Sequence, residues 1–457
     1  MPACFHIASN RPPPAALLAV ALGPTLGSVS SSVINVALPT ISHDFQVAPS
    51  AAIWVVNASQ LATTAMLLFL ASLGDARGAR RVYLGGGILF TLTAAGCALA
   101  PNLAALVALR ALQGLGNAAL IVTTPTLARA LFPPAQLGRA VAINAMCVAF
   151  GTAVGPTLGG LILSVAPWQW IFGLSVPIGV LAVVLGWRAL PRVVPHGGPV
   201  DGWSAVLSAV GLAALAYAFD GLARREAIGA ALAAAAIGAL ALGLFIGRQR
   251  RIAHPLLAME LFADRIFSVA ALASAATYFA QGISYVALPF FFQSVLGRTP
   301  LVTGLLMSAW PITTLIVAAQ MGRLSDRYAA PALCTLGIVV MGGGLAGFAL
   351  LPTVPPSWAI VVCAGVAGAG FAIFQTPNNR AMIGAAPPEK TGRASGIMSV
   401  TRYIGQTSGA VSASLVFALA GTAAAGLGRN AIEVALLCAC GTIALAGAAS
   451  AFRMHHA

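Results

Sequence analysis

Long apolar segments follow one another along this chain, separated by short stretches that hold most of the arginines. About 20 consecutive apolar residues are enough for a helix to cross a bilayer. The pattern predicts fourteen membrane-spanning helices, near residues 15–37, 51–73, 83–100, 103–127, 139–163, 170–189, 203–220, 227–246, 267–291, 301–319, 333–351, 357–378, 396–419 and 431–452.

The composition agrees with this pattern. Of 457 residues, 59% are hydrophobic and 7% are charged, whereas a soluble domain has about 25% charged residues. We therefore predict an all-α integral membrane protein with the lipid bilayer as its surroundings. A net charge of +14 would favour nucleic acid as the partner of a soluble protein, but here we expect no nucleic acid, because the placement of the charge matters more than its sum.

The positive residues alternate between the two sides of the predicted topology. With a cytoplasmic N-terminus, nineteen arginines and lysines, Arg402 among them, fall on the cytoplasmic side and four on the other. Cytoplasmic loops carry such an excess, so both termini are predicted to be cytoplasmic. Arg110 is the one strong charge placed within a span. The arginine-rich, alanine-rich composition favours a bacterium, and thus its cytoplasmic membrane.

The chain also repeats itself. "VALP" occurs at 36–39 and 286–289, and "GRA" at 138–140 and 392–394. Such parallel repeats are typical of transporters built from two bundles with the binding site between them. We predict a cytoplasmic tail (1–14), a six-helix bundle (15–190), a linker with two inserted helices (191–250), a second six-helix bundle (251–452) and a cytoplasmic tail (453–457).

A stripe of glycines crosses one predicted helix. Gly151, Gly155 and Gly159 recur every four residues, with Pro156 and Gly160 beside them in "GTAVGPTLGG". Small residues at this spacing let helices in lipid approach closely. Two interpretations follow: plain helix packing, or a tight contact that seals one side of a cavity while the other side opens.

A basic loop follows the second helix. Asp75 precedes Arg80 and Arg81 there, and Asp326 and Arg327 stand at the equivalent place in the second half. A carboxylate at that place could bind a neighbouring helix N-terminus or pair with the arginines, and so hold a cytoplasmic gate shut. The alternative is a solvated loop that only sets the topology.

Arg110 lies about 12 Å inside its helix at 1.5 Å per residue. A charge at that depth is costly unless paired or wetted, which marks a functional candidate; the alternative is an arginine that extends towards the membrane surface. The residues that we expect to bind cargo or couple transport are Arg110, Gln113, Ser30, Ser31, Asn35, Gln281, Gln293 and Asn378.

Several motifs carry a family resemblance. "GTAVGPTLGG", "LGDARGARR", "RALQGLGNAA", "WQWIFGLSVPIG", "GRLSDR" and "PNNRAM" resemble, in their order, motifs of the fourteen-helix drug:proton antiporters of the major facilitator superfamily. The resemblance implies export of small amphipathic molecules by alternating access, driven by proton entry, and an Arg110 that faces the cavity. From the residues themselves we expect no resident cofactor or metal, because no CxxC pair, HExxH motif or phosphate-cradling loop occurs.

One position departs from the family pattern. Ser30 stands where the family usually has an aspartate, and we place all ten acidic residues in connections or at helix ends. We therefore predict neutral or weakly anionic amphipathic cargo rather than permanent cations. Proton coupling must then use a helix-end carboxylate, such as Asp75, Asp220 or Glu433, or be lost. The nearby serines either bind cargo or satisfy carbonyls of their own helix.

Other classes of function have less support. A membrane enzyme needs a catalytic constellation, and the six histidines all lie in termini or connections. A non-transporting sensor on the same fold and a facilitator without proton coupling stay open. The sequence leaves the cargo and the oligomeric state unassigned.

Overall fold

The computed structural model describes residues 13–132, 137–193, 195, 201–224, 228–252, 257–325, 327–387, 391–419 and 429–454. Sixteen α-helices cover most of them: α1 (Pro14–Asp44), α2 (Pro49–Ala52), α3 (Trp54–Arg77), α4 (Ala79–Ala98), α5 (Leu103–Leu131), α6 (Leu137–Val165), α7 (Gln169–Gly173), α8 (Ser175–Ala189), α9 (Gly202–Arg224), α10 (Ile228–Gln249), α11 (Arg265–Phe290), α12 (Pro300–Leu324), α13 (Ala330–Ala349), α14 (Ser357–Gly384), α15 (Thr391–Leu419) and α16 (Arg429–Met454).

Short α2 and α7 lead directly into α3 and α8, so the described residues form fourteen long helical segments, as the apolar pattern predicts. Thirteen of the described segments are long and apolar enough to span a membrane. The fourteenth is α15, whose apolar character is diluted by serines, threonines, Arg393 and Arg402. A helix that lines a polar cavity needs fewer apolar side chains than one that faces lipid on all sides.

Local chemistry sets several helix ends. Pro14, Pro49 and Pro300 occupy first turns, where a missing N–H costs nothing. The side chain of Asp264 accepts a hydrogen bond from the N–H of Phe267 at 2.9 Å and caps α11. Between α3 and α4, Gly78 has a φ of +99°, a conformation that favours glycine.

The long helices pack in two groups with the same internal pairing. In the first group, α1 packs against α6 and α8, and α5 packs against α3 and α4. The second group repeats this with α11 against α15 and α16, and α14 against α12 and α13. The groups meet through α6 with α12 and through α3 with α15, which are equivalent pairs under the repeat. The contacts thus follow the repeat that the short sequence matches indicate.

The inserted pair, α9 and α10, packs mainly against itself, and α9 also contacts α3 and α15, one helix from each half. The most apolar stretches of α9 and α10 are only 28% and 22% buried, against 56% for α1, so most of their surface faces outwards. Arg248 and Asp201 clasp the pair at 3.0 Å. Burial by itself raises the pKa of Asp201, but hydrogen bonds from Arg248 and Ser204 outweigh it and hold that pKa below its ordinary value.

The two ends of the molecule are packed differently. At the end where α1, α6 and α15 finish, called the seal end, one apolar cluster joins both halves and includes Ile34, Trp168, Phe290 and Phe417. At the opposite end, called the motif end because it holds the α3–α4 loop, each half has its own cluster: one with Tyr83 and Leu127, the other with Phe267 and Met382. Only a small cluster of Leu67, Ala118 and Val400 joins the halves on this side, among the described residues. The halves are therefore joined more extensively at the seal end.

Candidate functional site

A cavity lies between the two halves. It holds about 720 Å³ of empty space, counting its open mouth. Helices α1, α3 and α6 line it from the first half, and α11 and α15 from the second. Among the described residues, its lining includes no residue of the inserted pair. The lining residues are Gly27, Ser28, Ser31, Ser32, Asn35, Gln60, Val148, Thr152, Gln281, Gly282, Tyr285, Val286, Arg402, Tyr403 and Gln406.

The cavity is built from equivalent positions of the repeat. The offset of the two "VALP" runs pairs Ser31 with Gln281 and Asn35 with Tyr285, and the offset of the two "GRA" runs pairs Val148 with Arg402 and Thr152 with Gln406. All eight line the cavity. We call Ser31, Asn35, Val148 and Thr152 the first wall, and Gln281, Tyr285, Arg402 and Gln406 the second wall. The repeat keeps the backbone positions and changes the side chains.

The position of Arg402 in the structure corrects the topology predicted from the sequence. Its place near the start of an apolar segment put it among the cytoplasmic positive charges and left Arg110 as the only strong charge within a span. The helix that carries Arg402 starts at Thr391, which sets the arginine about 16 Å along it at 1.5 Å per residue. Arg402 lines the cavity, so a second arginine lies within the bundle.

Arg110 lies outside the cavity lining and is 2% exposed. Its Nε donates to the Val55 carbonyl at 3.0 Å and its Nη1 to Gln113 Oε1 at 2.5 Å, with the Ser30 hydroxyl 3.4 Å away. Its guanidinium also lies 5.7 Å from the ring centre of Phe172. In this conformation Arg110 is held by neutral groups of its own half, and Ser30 and Gln113 serve it rather than the cavity.

The remaining polar candidates divide between the cavity and the packing. Ser31, Asn35 and Gln281 line the cavity. Gln293 reaches across the halves, where its Nε2 donates to the Val36 carbonyl at 2.8 Å. Asn378 is buried in the second half, and its Nδ2 donates to the Ala270 carbonyl and the Ser274 hydroxyl at 3.1 and 3.2 Å.

The glycine motif has two contact faces. Gly151, Gly155 and Gly159 pack against α1 of the same half; a methyl group at Gly155 would lie 2.5 Å from Ser32 Cβ. Pro156 and Gly160 face α12 of the other half. A methyl group at Gly160 would lie 2.5 Å from the Pro300 carbonyl oxygen, and one at Gly304 would lie 2.2 Å from that of Pro156. The glycine stripe itself packs within one bundle. The close contact between the halves is made by the adjacent Pro156 and Gly160.

Hydrogen bonds reinforce this contact at the seal end. Thr157 and Ser308 share a hydrogen bond of 2.7 Å between α6 and α12. On the equivalent seam, the Ser414 hydroxyl donates to the Ser50 carbonyl at 3.0 Å. Together with Gln293, these bonds join the halves on the side of the cavity opposite the motif end.

The predicted gate residues lie at the motif end. Asp75 is exposed at the end of α3, and a guanidinium nitrogen of Arg80 donates to the Trp187 carbonyl at the end of α8. Arg81 and Arg327 are exposed, and Asp326 lies outside the described residues. Arg80 therefore ties two helices of the first half together.

Sequence reasoning missed Gln60, Tyr285, Arg402 and Gln406, which all line the cavity. A signal for three of them was available, because Tyr285, Arg402 and Gln406 are the repeat equivalents of Asn35, Val148 and Thr152. The repeat offset applied to the candidate Asn35 finds Tyr285, whereas Arg402 and Gln406 are found only if the offset is also applied to Val148 and Thr152, which were not candidates.

Comparison with known proteins identifies the family. The family model described as Major Facilitator Superfamily matches residues 20–410 and again 270–454. The chain is 37% identical over 449 residues to the uncharacterized transporter YebQ of Escherichia coli (strain K12), covering 96% of this chain and 95% of that one. It is 32% identical over 408 residues to the multidrug efflux pump LfrA of Mycolicibacterium smegmatis, covering 88% and 80%.

A solved structure shows the same fold. A bacterial homologue of the human lysosomal transporter Spinster, in an inward-facing and occupied conformation, aligns with a TM-score of 0.66 at 16% identity, covering 96% of each chain. Helices of this number and apolarity make the protein an integral membrane protein, and the family makes it a transporter rather than an enzyme. The chain belongs to the Major Facilitator Superfamily.

Proposed function

We propose that this protein exports small amphipathic molecules across the cytoplasmic membrane of a bacterium by alternating access. The carrying observation is the central cavity, which lies between two equivalent walls and has the halves joined at its seal end. A cavity at a repeat interface is where transporters of this plan bind cargo. The likeness to the multidrug efflux pump LfrA supports export as the direction.

The distribution of charge supports an orientation in the membrane. The excess of arginine in connections at the motif end assigns that end to the cytoplasm. In that orientation the seal end faces outwards, and the conformation described here is the one that accepts cargo from the cytoplasmic side. Export then requires the contacts of Gly160 and Gly304 to separate while the motif end closes.

Proton antiport is the driving force that the family resemblance implies. No aspartate, glutamate or histidine is among the described residues that line the cavity. We therefore assign coupling to a carboxylate at a helix end. Asp75 and Glu433 are candidates within the described side chains; Glu433 accepts from Arg429 at 2.5 Å. The side chain of Asp220 lies outside the described residues.

Transport by purified protein in liposomes tests this function. The probes are 8-anilinonaphthalene-1-sulfonate, an anionic amphipath, and ethidium, a permanent cation, each measured with and without an imposed pH gradient. We expect protein-dependent movement of the anionic probe, increased by the gradient, and little movement of ethidium. Movement that ignores the gradient would identify a facilitator, and no movement of either probe would favour a sensor; both results contradict the proposed antiport.

A further inference from the structure

Arg402 is the one arginine among the described residues that line the central cavity. It is half-buried on α15 and is the repeat equivalent of Val148, so the second half presents a charge where the first presents an isopropyl group. A charge at that depth is costly unless it is paired or wetted. Its surroundings therefore indicate what it binds.

The protein leaves part of this guanidinium without a partner. Its carbon lies 4.9 Å from the ring centre of Tyr403, so one face stacks on an aromatic ring. Its Nε is buried, and no protein group accepts a hydrogen bond from it. Leaving a buried donor unsatisfied is unfavourable. Stacking on Tyr403 thus holds Arg402 in place, and its Nε donor stays without an acceptor.

No described carboxylate neutralises Arg402. The aspartates and glutamates whose side chains are described lie at helix ends or in connections: Asp44, Asp75, Asp201, Glu260, Asp264 and Glu433. Glu260, for example, lies 3.8 Å from Arg393 near the start of the helix that carries Arg402. The cavity consequently carries a positive charge that its own lining does not balance.

The rest of the lining offers aromatic surface and hydrogen-bond acceptors, which suit an amphipathic molecule with a donor of its own. Asn35 Oδ1 and Gln60 Oε1 are buried without a hydrogen-bond donor, and Gln406 donates to Gln281 at 3.0 Å. The ring of Tyr285 is fixed edge-on against Trp310, with 5.6 Å between ring centres. These groups offer an apolar surface and neutral polar contacts around one cation.

We propose that Arg402 is a specificity-determining residue that binds the carboxylate of an amphipathic organic acid carried by this transporter, an assignment that rests on the proposed function. A carboxylate bound side-on would accept from Nε and one terminal nitrogen, which satisfies the unpartnered donor. Arginine suits this geometry because its planar fork matches a carboxylate, and charge-assisted hydrogen bonds are about twice as strong as neutral ones.

Equilibrium binding of a matched series of probes tests the assignment. The probes are naphthalene-2-carboxylate, neutral naphthalene-2-carboxamide and the trimethyl-2-naphthylammonium cation, titrated by calorimetry into purified protein in phosphatidylcholine nanodiscs. We expect the carboxylate to bind at least about tenfold more tightly than the amide, as hydrogen bonds to charged groups imply. Arg402→Gln should abolish this preference, because it weakens binding of the carboxylate more than binding of the amide.

Two variants control for damage to the fold. Arg393→Gln removes an arginine of the same helix outside the cavity and should keep the full preference. Arg402→Lys keeps the charge without the fork and should retain part of it. Equal binding of the three probes to wild type, preference for the ammonium probe, or an unchanged preference in Arg402→Gln would each overturn the assignment.

A lipid phosphate is the other source of an anion. Adding phosphatidylglycerol to the nanodiscs should leave carboxylate affinity unchanged, and a loss of affinity that Arg402→Gln removes would assign the arginine to lipid instead. The liposome experiment keeps this inference separate from the proposed function. Protein-dependent transport that Arg402→Gln leaves unaltered for every probe contradicts the inference alone, whereas absence of all transport contradicts the function.

Discussion

The two walls of the cavity occupy equivalent positions and carry different chemistry. The first wall is small and neutral, with Ser31, Asn35, Val148 and Thr152, whereas the second carries a charge, an aromatic ring and two amides, in Arg402, Tyr285, Gln281 and Gln406. Both rest on the same backbone contact, since Gly151 packs on Thr25 and Ser28 as Gly405 packs on the equivalent Ala275 and Tyr278. The two halves therefore share how their helices pack, and we propose that recognition is concentrated on the second wall.

The largest effect is expected from the packing that the walls share. A leucine at Gly155 would collide with Ser32, and one at Gly409 with the Phe279 carbonyl, since even a methyl group would approach within 2.5 and 2.2 Å. We expect both variants to insert and to lose transport. Gly243→Leu is the control, because nothing lies within 4 Å of that position. Normal transport by Gly155→Leu would show that the close approach of α6 and α1 is dispensable.

The next largest effect is expected at Arg110, for which we predict a role in stability, in contrast to the cargo-binding role of the second wall. Gln113→Leu removes one acceptor of a buried guanidinium, and a hydrogen bond to a charged group is worth about 1.5–3 kcal/mol. We expect a clearly lower melting temperature in detergent. Replacing Arg110 with Met in the same chain should recover most of that loss, because the charge is then gone. Gln406→Leu is the matched control and should melt near wild type; a stable Gln113→Leu that fails only in transport would place Arg110 in the cargo site instead.

A smaller effect compares equivalent polar positions on the two walls. Gln406→Leu removes an amide that binds Gln281 and lines the cavity, and one hydrogen bond is worth about 0.5–1.5 kcal/mol. We expect the KM for the anionic probe to rise about five- to tenfold. Thr152→Val on the first wall should change it less than about twofold, because the Thr152 hydroxyl already donates to the Ala149 carbonyl at 2.9 Å. Equal changes would mean that both walls recognise cargo.

The smallest effect is expected in the insert, which belongs to neither wall. Asp201→Asn weakens the clasp with Arg248 and should leave transport within about twofold of wild type, since a pair that is partly exposed contributes about 0–1 kcal/mol. The pKa of Asp201 is lowered in the fold. Its contribution to stability is thus present above the ordinary aspartate range and lost only when the pH falls through the lowered value. Cysteine labelling from the aqueous cavity at several positions of α10 would contradict the peripheral place of the pair.

Sequence patterns were sufficient for the fold because lipid imposes a simple rule. Each span needs about 20 apolar residues with internally bonded backbone, and α1, α5 and α14 obey it with a few extra residues at each end. The repeat also predicted two six-helix bundles with the binding site between them. It could not show that α9 contacts one helix of each half. A helix that is apolar on all sides has no distinct face from which its neighbour can be predicted.

The site was less predictable for a related reason. Hydropathy detects helices that face lipid. Because α15 carries polar residues, its predicted span starts at residue 396 rather than at Thr391, and Arg402 was counted among the charges of a cytoplasmic loop. Arg110 was visible as a buried charge, yet the sequence could not show that Val55 and Gln113 already satisfy it. Whether a buried charge is available to cargo depends on contacts between residues distant in sequence.

The most direct test of alternating access between these walls is a pair of distances measured by electron spin resonance. Spin labels at Val165 and Val354 report the seal end, and labels at Ala130 and Gly384 report the motif end, in a background with the native cysteines replaced. Naphthalene-2-carboxylate with an imposed pH gradient should lengthen the seal-end distance and shorten the motif-end distance in the same fraction of molecules. Distances that stay fixed, or that lengthen together, would contradict a rocking of the two halves around one cavity.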